Sequence, residues 1–200
     1  MVKLPRCDDL FMRFFDPWYS PEDRKRKGFK ATRPDLMEAT PWIGRTAADL
    51  SPLEPEGQTK IRKMIDGMIE AARNDWPNYL TVAGSPDLNW IGAFDQYYNA
   101  GQVFKLIARS DPKNFSNPLL VTTCEFGAVI GHVLMQSRAS LDWIIEWPYW
   151  ESSLFDNKTG HVLAVFHWAI KKMSDYGIDD GFAAKTKACL QLLEEDRRLK

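Results

Sequence analysis

Residues Pro118 to Met135 read P-L-L-V-T-T-C-E-F-G-A-V-I-G-H-V-L-M, the longest apolar run in the chain. Glu125 is its only formally charged member, and His132 follows seven positions later. A run of this length exceeds an ordinary strand and predicts a central helix over 118–136, buried on most sides. Its length also suits a membrane span of roughly 18 or more apolar residues. Glu125, His132, Thr122 and Thr123 argue against that use, because ionisable groups in lipid are costly. Gly127 and Gly131 share a face with Ala128. Each glycine costs a helix about 1 kcal/mol relative to alanine, so close packing of another element is the expected compensation. A ligand-contact face is the alternative.

Downstream of this helix the period changes. Leu141, Trp143, Ile145 and Trp147 alternate with Asp142, Ile144 and Glu146, the signature of a strand ended by Pro148. Ser152 to Phe155 predicts a second strand. Asp156-Asn-Lys-Thr-Gly160 is a hairpin loop signal, and His161 to Phe166 predicts a third strand, apolar on both faces. Trp168 to Tyr176 reads as a short helix closed by Gly177, and Gly181 to Arg197 as a last helix with Phe182, Cys189, Leu192 and Leu193 inward.

Upstream, Gly57 to Trp76 is amphipathic. Ile61, Met64, Ile65, Met68, Ile69 and Ala72 keep helical spacing, and Pro77 ends the segment. Ser85-Pro86 predicts a cap and first position for a helix carrying Leu88, Ile91, Phe94 and Tyr98. Gly101 marks a break before a further turn or two. Residues 1–56 hold seven of the twelve prolines. They predict an irregular arm, packed on the body through Phe11, Phe14, Phe15, Trp18 and Trp42. The whole is one α+β domain over 1–200: a helical N-terminal two-thirds, then a small antiparallel sheet over 141–166 and two C-terminal helices.

Charge bounds the partners. The 26 basic and 27 acidic residues nearly cancel, which argues against a general nucleic-acid binder. The one basic cluster, Arg24 to Lys27 with Lys30 and Arg33, reads as a solvated face, with a patch for an anionic ligand or nucleic acid as the weaker alternative. Cys7, Cys124 and Cys189 are few and widely spaced, so a reducing cytoplasm is expected. Arg6, Asp8 and Asp9 interrupt any signal-peptide core. No membrane partner is expected.

Catalytic and ligand signals are sparse. The three histidines, His132, His161 and His167, show no metal-ligand spacing with cysteine or glutamate, so no metal and no cofactor is expected. On one helix Cys124 and His132 stand about 80° and roughly 12 Å apart, too far for a dyad. Glu125 and His132 lie near one face but two turns apart. A buried carboxylate at 125 predicts a tryptophan N–H, an arginine or a backbone amide as its partner. The remaining candidate is Trp143 to Phe155. Trp147, Tyr149 and Trp150 around Pro148 cannot all point into one core, and Glu146, Glu151 and Asp156 give the stretch an acidic rim.

Two functional readings follow. The first is a non-enzymatic protein-binding protein, in the class of bacterial toxin-neutralising (immunity) or adaptor proteins. It would meet a protein partner of basic surface through Trp143, Glu146, Trp147, Tyr149, Trp150 and Glu151. The second is a small enzyme with a pocket between the central helix and the sheet, using Glu125, His132, His161 and His167.

Overall fold

The computed structural model describes residues 3–27, 32–38 and 44–198. In chain order come α1 (Cys7–Phe14), α2 (Pro21–Lys27), β1 (Leu36–Glu38), α3 (Ala47–Leu50), α4 (Pro55–Asp75), α5 (Leu88–Tyr97), α6 (Ala100–Ala108) and α7 (Pro118–Ser137). Then follow β2 (Leu141–Ile144), β3 (Ser153–Asp156), β4 (His161–Leu163), α8 (Val165–Lys172) and α9 (Phe182–Arg198). Single 3-10 turns lie at Asp16–Trp18, Trp76–Asn78 and Tyr149–Glu151.

The central helix forms where the apolar run places it. Asn117 caps α7, its side-chain oxygen accepting from the Leu120 N–H at 3.0 Å, and Pro118 takes the first position. Among the described residues α7 is the one helix long and apolar enough to cross a membrane, and most of it is buried inside the fold. Helices α4, α5, α6 and α8 surround it. The two glycines do what their spacing predicts. A β-carbon on Gly127 would stand 2.9 Å from the backbone Cα of Phe166, and one on Gly131 would meet the Trp143 ring. Helix α8 and strand β2 therefore lie directly on α7.

The sheet is antiparallel in the order β1-β4-β3-β2. Leu141 faces Asp156 and Ile144 faces Ser153, while Leu154 pairs with Leu163. Leu141, Trp143, Leu154 and Leu163 point into the main core with α7 and α8. Ile144, Phe155 and Val162 point the other way, where Ala47 of α3 covers them. The sheet is thus covered on both faces, as the apolar character of 161–163 implies.

Several boundaries differ from the sequence reading. The third strand stops at Leu163, and α8 begins at Val165 rather than Trp168. All eight residues of α8 are buried, and a helix buried all round has no apolar period to distinguish it from a strand. The first strand stops at Ile144 because the Ile145 N–H donates to Ser51 Oγ at 2.8 Å instead of to β3. Asp87, not Ser85, caps α5, accepting from the N–H groups of Asn89 and Trp90. The break near Gly101 falls earlier, where Asn99 caps α6. Gly177 is not a left-handed cap. Its N–H donates to the Lys171 carbonyl at 3.1 Å, and a β-carbon would stand 2.7 Å from that oxygen. Leu192 is exposed while Leu193 is buried.

The arm is more regular than its prolines suggest. It contains α1, α2, α3 and β1, and β1 pairs with β4 across almost the whole chain, Leu36 opposite Leu163. Phe11, Phe14 and Phe15 are buried and Trp18 half-buried, as expected. Trp42 and Lys30 lie outside the described residues, as do the side chains of Lys25 to Lys27. Arg24 pairs with Asp16 at 3.1 Å.

Candidate functional site

Beyond Ile144 the chain leaves the sheet and loops through Trp147, a cis Trp147–Pro148 peptide and the 3-10 turn at Tyr149–Glu151. Ser152 closes the loop. Its hydroxyl accepts from the Glu146 N–H at 3.1 Å. This closure sends Trp147 outward, 38% exposed, and turns Tyr149, Trp150 and Glu151 inward. Trp143 is also buried, with its ring against Phe166 and Gly131. Of the six residues expected at a surface, four are interior, Glu146 is half-buried and Trp147 alone is exposed. Trp150 is tied to the arm by ring contacts, meeting Phe15 edge-on at 5.4 Å and Tyr19 at 6.1 Å.

Trp147 is supported by residues the sequence reading did not join to it. Its ring stacks on Phe115 at 6.3 Å, and Phe115 meets Trp18 edge-on at 5.0 Å. Trp18 and Phe115 are half-buried, and Trp18 is fixed by its N–H donating to the Phe14 carbonyl at 3.0 Å. The result is an aromatic ledge, Trp18–Phe115–Trp147, built from three separate segments. Phe115 sits in the turn-rich loop before α7, where nothing in its local pattern marks it as anything but loop.

The acidic rim is turned to the inside. Arg33 Nη2 pairs with Glu146 at 3.1 Å and with Glu151 at 2.5 Å. The Tyr19 hydroxyl donates to Glu151 and accepts from the Trp150 N–H. Asp156 is fully buried on Arg138, 2.6 Å away. Burial works against the Arg33 charge, but Glu151 and Glu146 outweigh it and raise the guanidinium above its ordinary range.

The four residues of the alternative pocket fall on separate fronts. Glu125 faces α4 and accepts from the Trp76 N–H at 3.3 Å, the partner type expected. Burial pushes its carboxyl up to about 7; the Trp76 hydrogen bond opposes this and the Asp75 charge adds to it. His132 accepts from Arg73 at 3.2 Å and is held below the ordinary range by burial and that guanidinium. His161 lies within 2.8 Å of Thr159 Oγ1 in the β3–β4 hairpin. His167 faces the arm, where its Nδ1 accepts from the Arg33 N–H at 2.9 Å. Cys124 is buried beside Tyr149, and burial raises its thiol far out of the reactive range. Among the described residues no three His, Cys, Asp or Glu side chains converge as a metal site requires.

The cavities lie elsewhere. One of about 690 Å³ runs between α5 and α9, lined by Tyr79, Asn89, Gln96, Tyr97 and Lys187. Another of about 630 Å³ is lined by Arg6, Cys7, Thr32, Arg33, Lys171 and Tyr176. A third of about 210 Å³ holds Arg33, Arg45, Glu146 and Ser153. None of these three is lined by Glu125, His132, His161 or His167. No protein-family model matches the chain, and comparison with curated proteins and with solved structures finds no match.

Proposed function

We propose that this chain is a non-enzymatic, cytoplasmic protein-binding protein whose contact surface centres on the Trp18–Phe115–Trp147 ledge. One observation carries the reading: an indole 38% exposed and stacked on Phe115, while the other tryptophans among the described residues are buried or half-buried. Tryptophan supplies much contact area for little lost rotamer freedom and is enriched among the hot spots of protein interfaces. Glu146 and Glu151 are engaged by Arg33, so apolar contact, more than attraction for a basic surface, supplies the affinity. A toxin-neutralising or adaptor role in a bacterial cell is the finer form of this proposal. The alternative enzyme reading has less support, because Glu125 and the histidines are dispersed and engaged with separate partners.

The test is capture of partners by the wild-type chain and by a Trp147→Ala/Phe115→Ala variant of verified fold. A stoichiometric partner lost with the variant supports the proposal. Equal capture by both, or no specific partner for the wild type, overturns it.

A further inference from the structure

Residues 32–38 form a strap along α8, from His167 to Lys171, and across the edge of β4. Besides the ion pairs of the Arg33 side chain with Glu146 and Glu151 and of Asp35 with Lys185 of α9, its main attachments come from those two elements. Lys171 Nζ donates to the Arg33 carbonyl at 2.9 Å and pairs with Asp35 at 2.7 Å. The Asp35 carbonyl accepts from the Trp168 side-chain N–H at 2.9 Å, and β1 pairs with β4 from Leu36 to Glu38. At the head of the strap the Arg33 N–H donates to His167 Nδ1.

That last bond fixes the state of the ring. An imidazole nitrogen that accepts carries no proton, so the neutral ring of His167 holds its single proton on Nε2. Nε2 is buried without a hydrogen-bond partner and lies 3.7 Å from Glu151 Oε1. A second proton therefore has one place to go, Nδ1, where it would confront the Arg33 N–H. Two donors cannot remain 2.9 Å apart. We propose that His167 is a proton-operated latch: with Nδ1 bare it holds the strap closed, and protonation of Nδ1 releases residues 32–38 from α8 and from the β4 edge.

The surroundings set the direction. Burial, Arg33 on the strap and Lys171 on the same helix all disfavour the charged ring; Glu151, from the 3-10 turn, favours it. Glu151 is already shared between Arg33 and Tyr19, and the face toward α1 is the uncharged ring of Phe11 at 6.0 Å. The closed form thus holds the imidazole below its ordinary range, whereas an opened strap exposes a histidine of ordinary pKa, about 6.5. Only the open form takes up the proton readily, so acid favours opening. Linkage for one proton gives a rise in the open-to-closed ratio of at most about 30-fold between pH 7.5 and pH 5. The opened state leaves the backbone groups of β4 unpaired on that side.

Hydrogen–deuterium exchange on the full chain, corrected for intrinsic rate, tests this. The wild type should show a rise approaching this limit, confined to residues 32–38 and 161–163. His167→Gln keeps an acceptor for the Arg33 N–H and cannot titrate, so it should show less than a threefold change. A rise that persists in His167→Gln, is absent from the wild type, or spreads equally over α4 and α7 overturns the latch. Nitrogen NMR of the wild-type ring provides a second criterion independent of the variant's folding. Nδ1 should be unprotonated at pH 7.5, and the ring's titration should coincide with strap opening. A protonated Nδ1 at pH 7.5, or a midpoint unrelated to opening, overturns it equally.

Discussion

Gly131 and Trp143 meet so closely that a β-carbon on the glycine would stand 2.5 Å from Cζ2 of the indole. Gly127 is tighter in kind, because its neighbour at 2.9 Å is the Phe166 backbone rather than the tip of a ring. Side chains can shift at a cost of about 1–3 kcal/mol, whereas helix backbones move only with everything attached to them. Gly127→Ala should therefore destabilise more than Gly131→Ala. Gly67, exposed on α4 with nothing within 4 Å of a β-carbon, should instead gain up to about 1 kcal/mol as alanine. Urea unfolding of the three variants checks the order. An equal loss at 127 and 67 would show that propensity, not packing, governs these positions.

Trp150 and Trp147 are three positions apart and should behave oppositely. Trp150 is fully buried, so Trp150→Ala should lose about 3–5 kcal/mol. Trp147→Ala should lose about 1 kcal/mol or less, because the ring is partly solvated. Thermal melts of the two single variants separate the roles. A Trp147→Ala loss as large as that of Trp150→Ala would assign the ledge to stability.

Glu125 gives a pH dependence of definite sign. Its carboxyl titrates at about 7 in the fold against an ordinary value of about 4.3 in the unfolded chain. The folded form therefore binds a proton more tightly, and stability falls as pH rises through this interval. Glutamine at 125 keeps an acceptor for the Trp76 N–H and carries no charge. Glu125→Gln should thus be little changed at pH 4.5 and gain about 1–3 kcal/mol over wild type at pH 8, after allowance for partial solvation. Melting temperatures at the two pH values measure it. A gain independent of pH would mean that Glu125 does not titrate in this range.

The pair Arg138–Asp156 joins the end of α7 to the end of β3, with Asp156 fully buried. Removing the guanidinium leaves the carboxylate buried with only neutral donors, a loss of about 3–5 kcal/mol. Arg138→Ala should be correspondingly unstable at pH 7. Arg138→Ala/Asp156→Asn should recover much of the loss. Chemical denaturation of single and double variants reads the coupling, and an unrecovered double variant would show that the arginine acts by packing.

The α+β architecture and the central helix were legible because a long apolar run and a G-x-x-x-G spacing leave few alternatives. The hairpin at 156–160 was legible because its turn chemistry is local. What escaped the sequence was long-range. Arg33 belongs by composition to a basic cluster, yet its guanidinium neutralises Glu146 and Glu151 from more than a hundred positions away. The crowding of rings around Pro148 put at least one of Trp147, Tyr149 and Trp150 near a surface without saying which. Phe115 and Trp18, which support Trp147, could not be placed, because no periodicity connects a loop, an arm and a strand end. Strand β1 has three residues, too few for any alternation to register.

The sheet order places the first strand beside the last, and Arg33 waits for His167, 134 positions later. On a ribosome adding about 5–20 residues per second, that interval lasts roughly 7–30 seconds. Throughout it the apolar side chains of α1 and its cap, Leu10, Phe11, Phe14 and Phe15, have no α8 to lie against. The same topology leaves α1 exposed on the nascent chain until α8 emerges, a stretch a holding chaperone can cover.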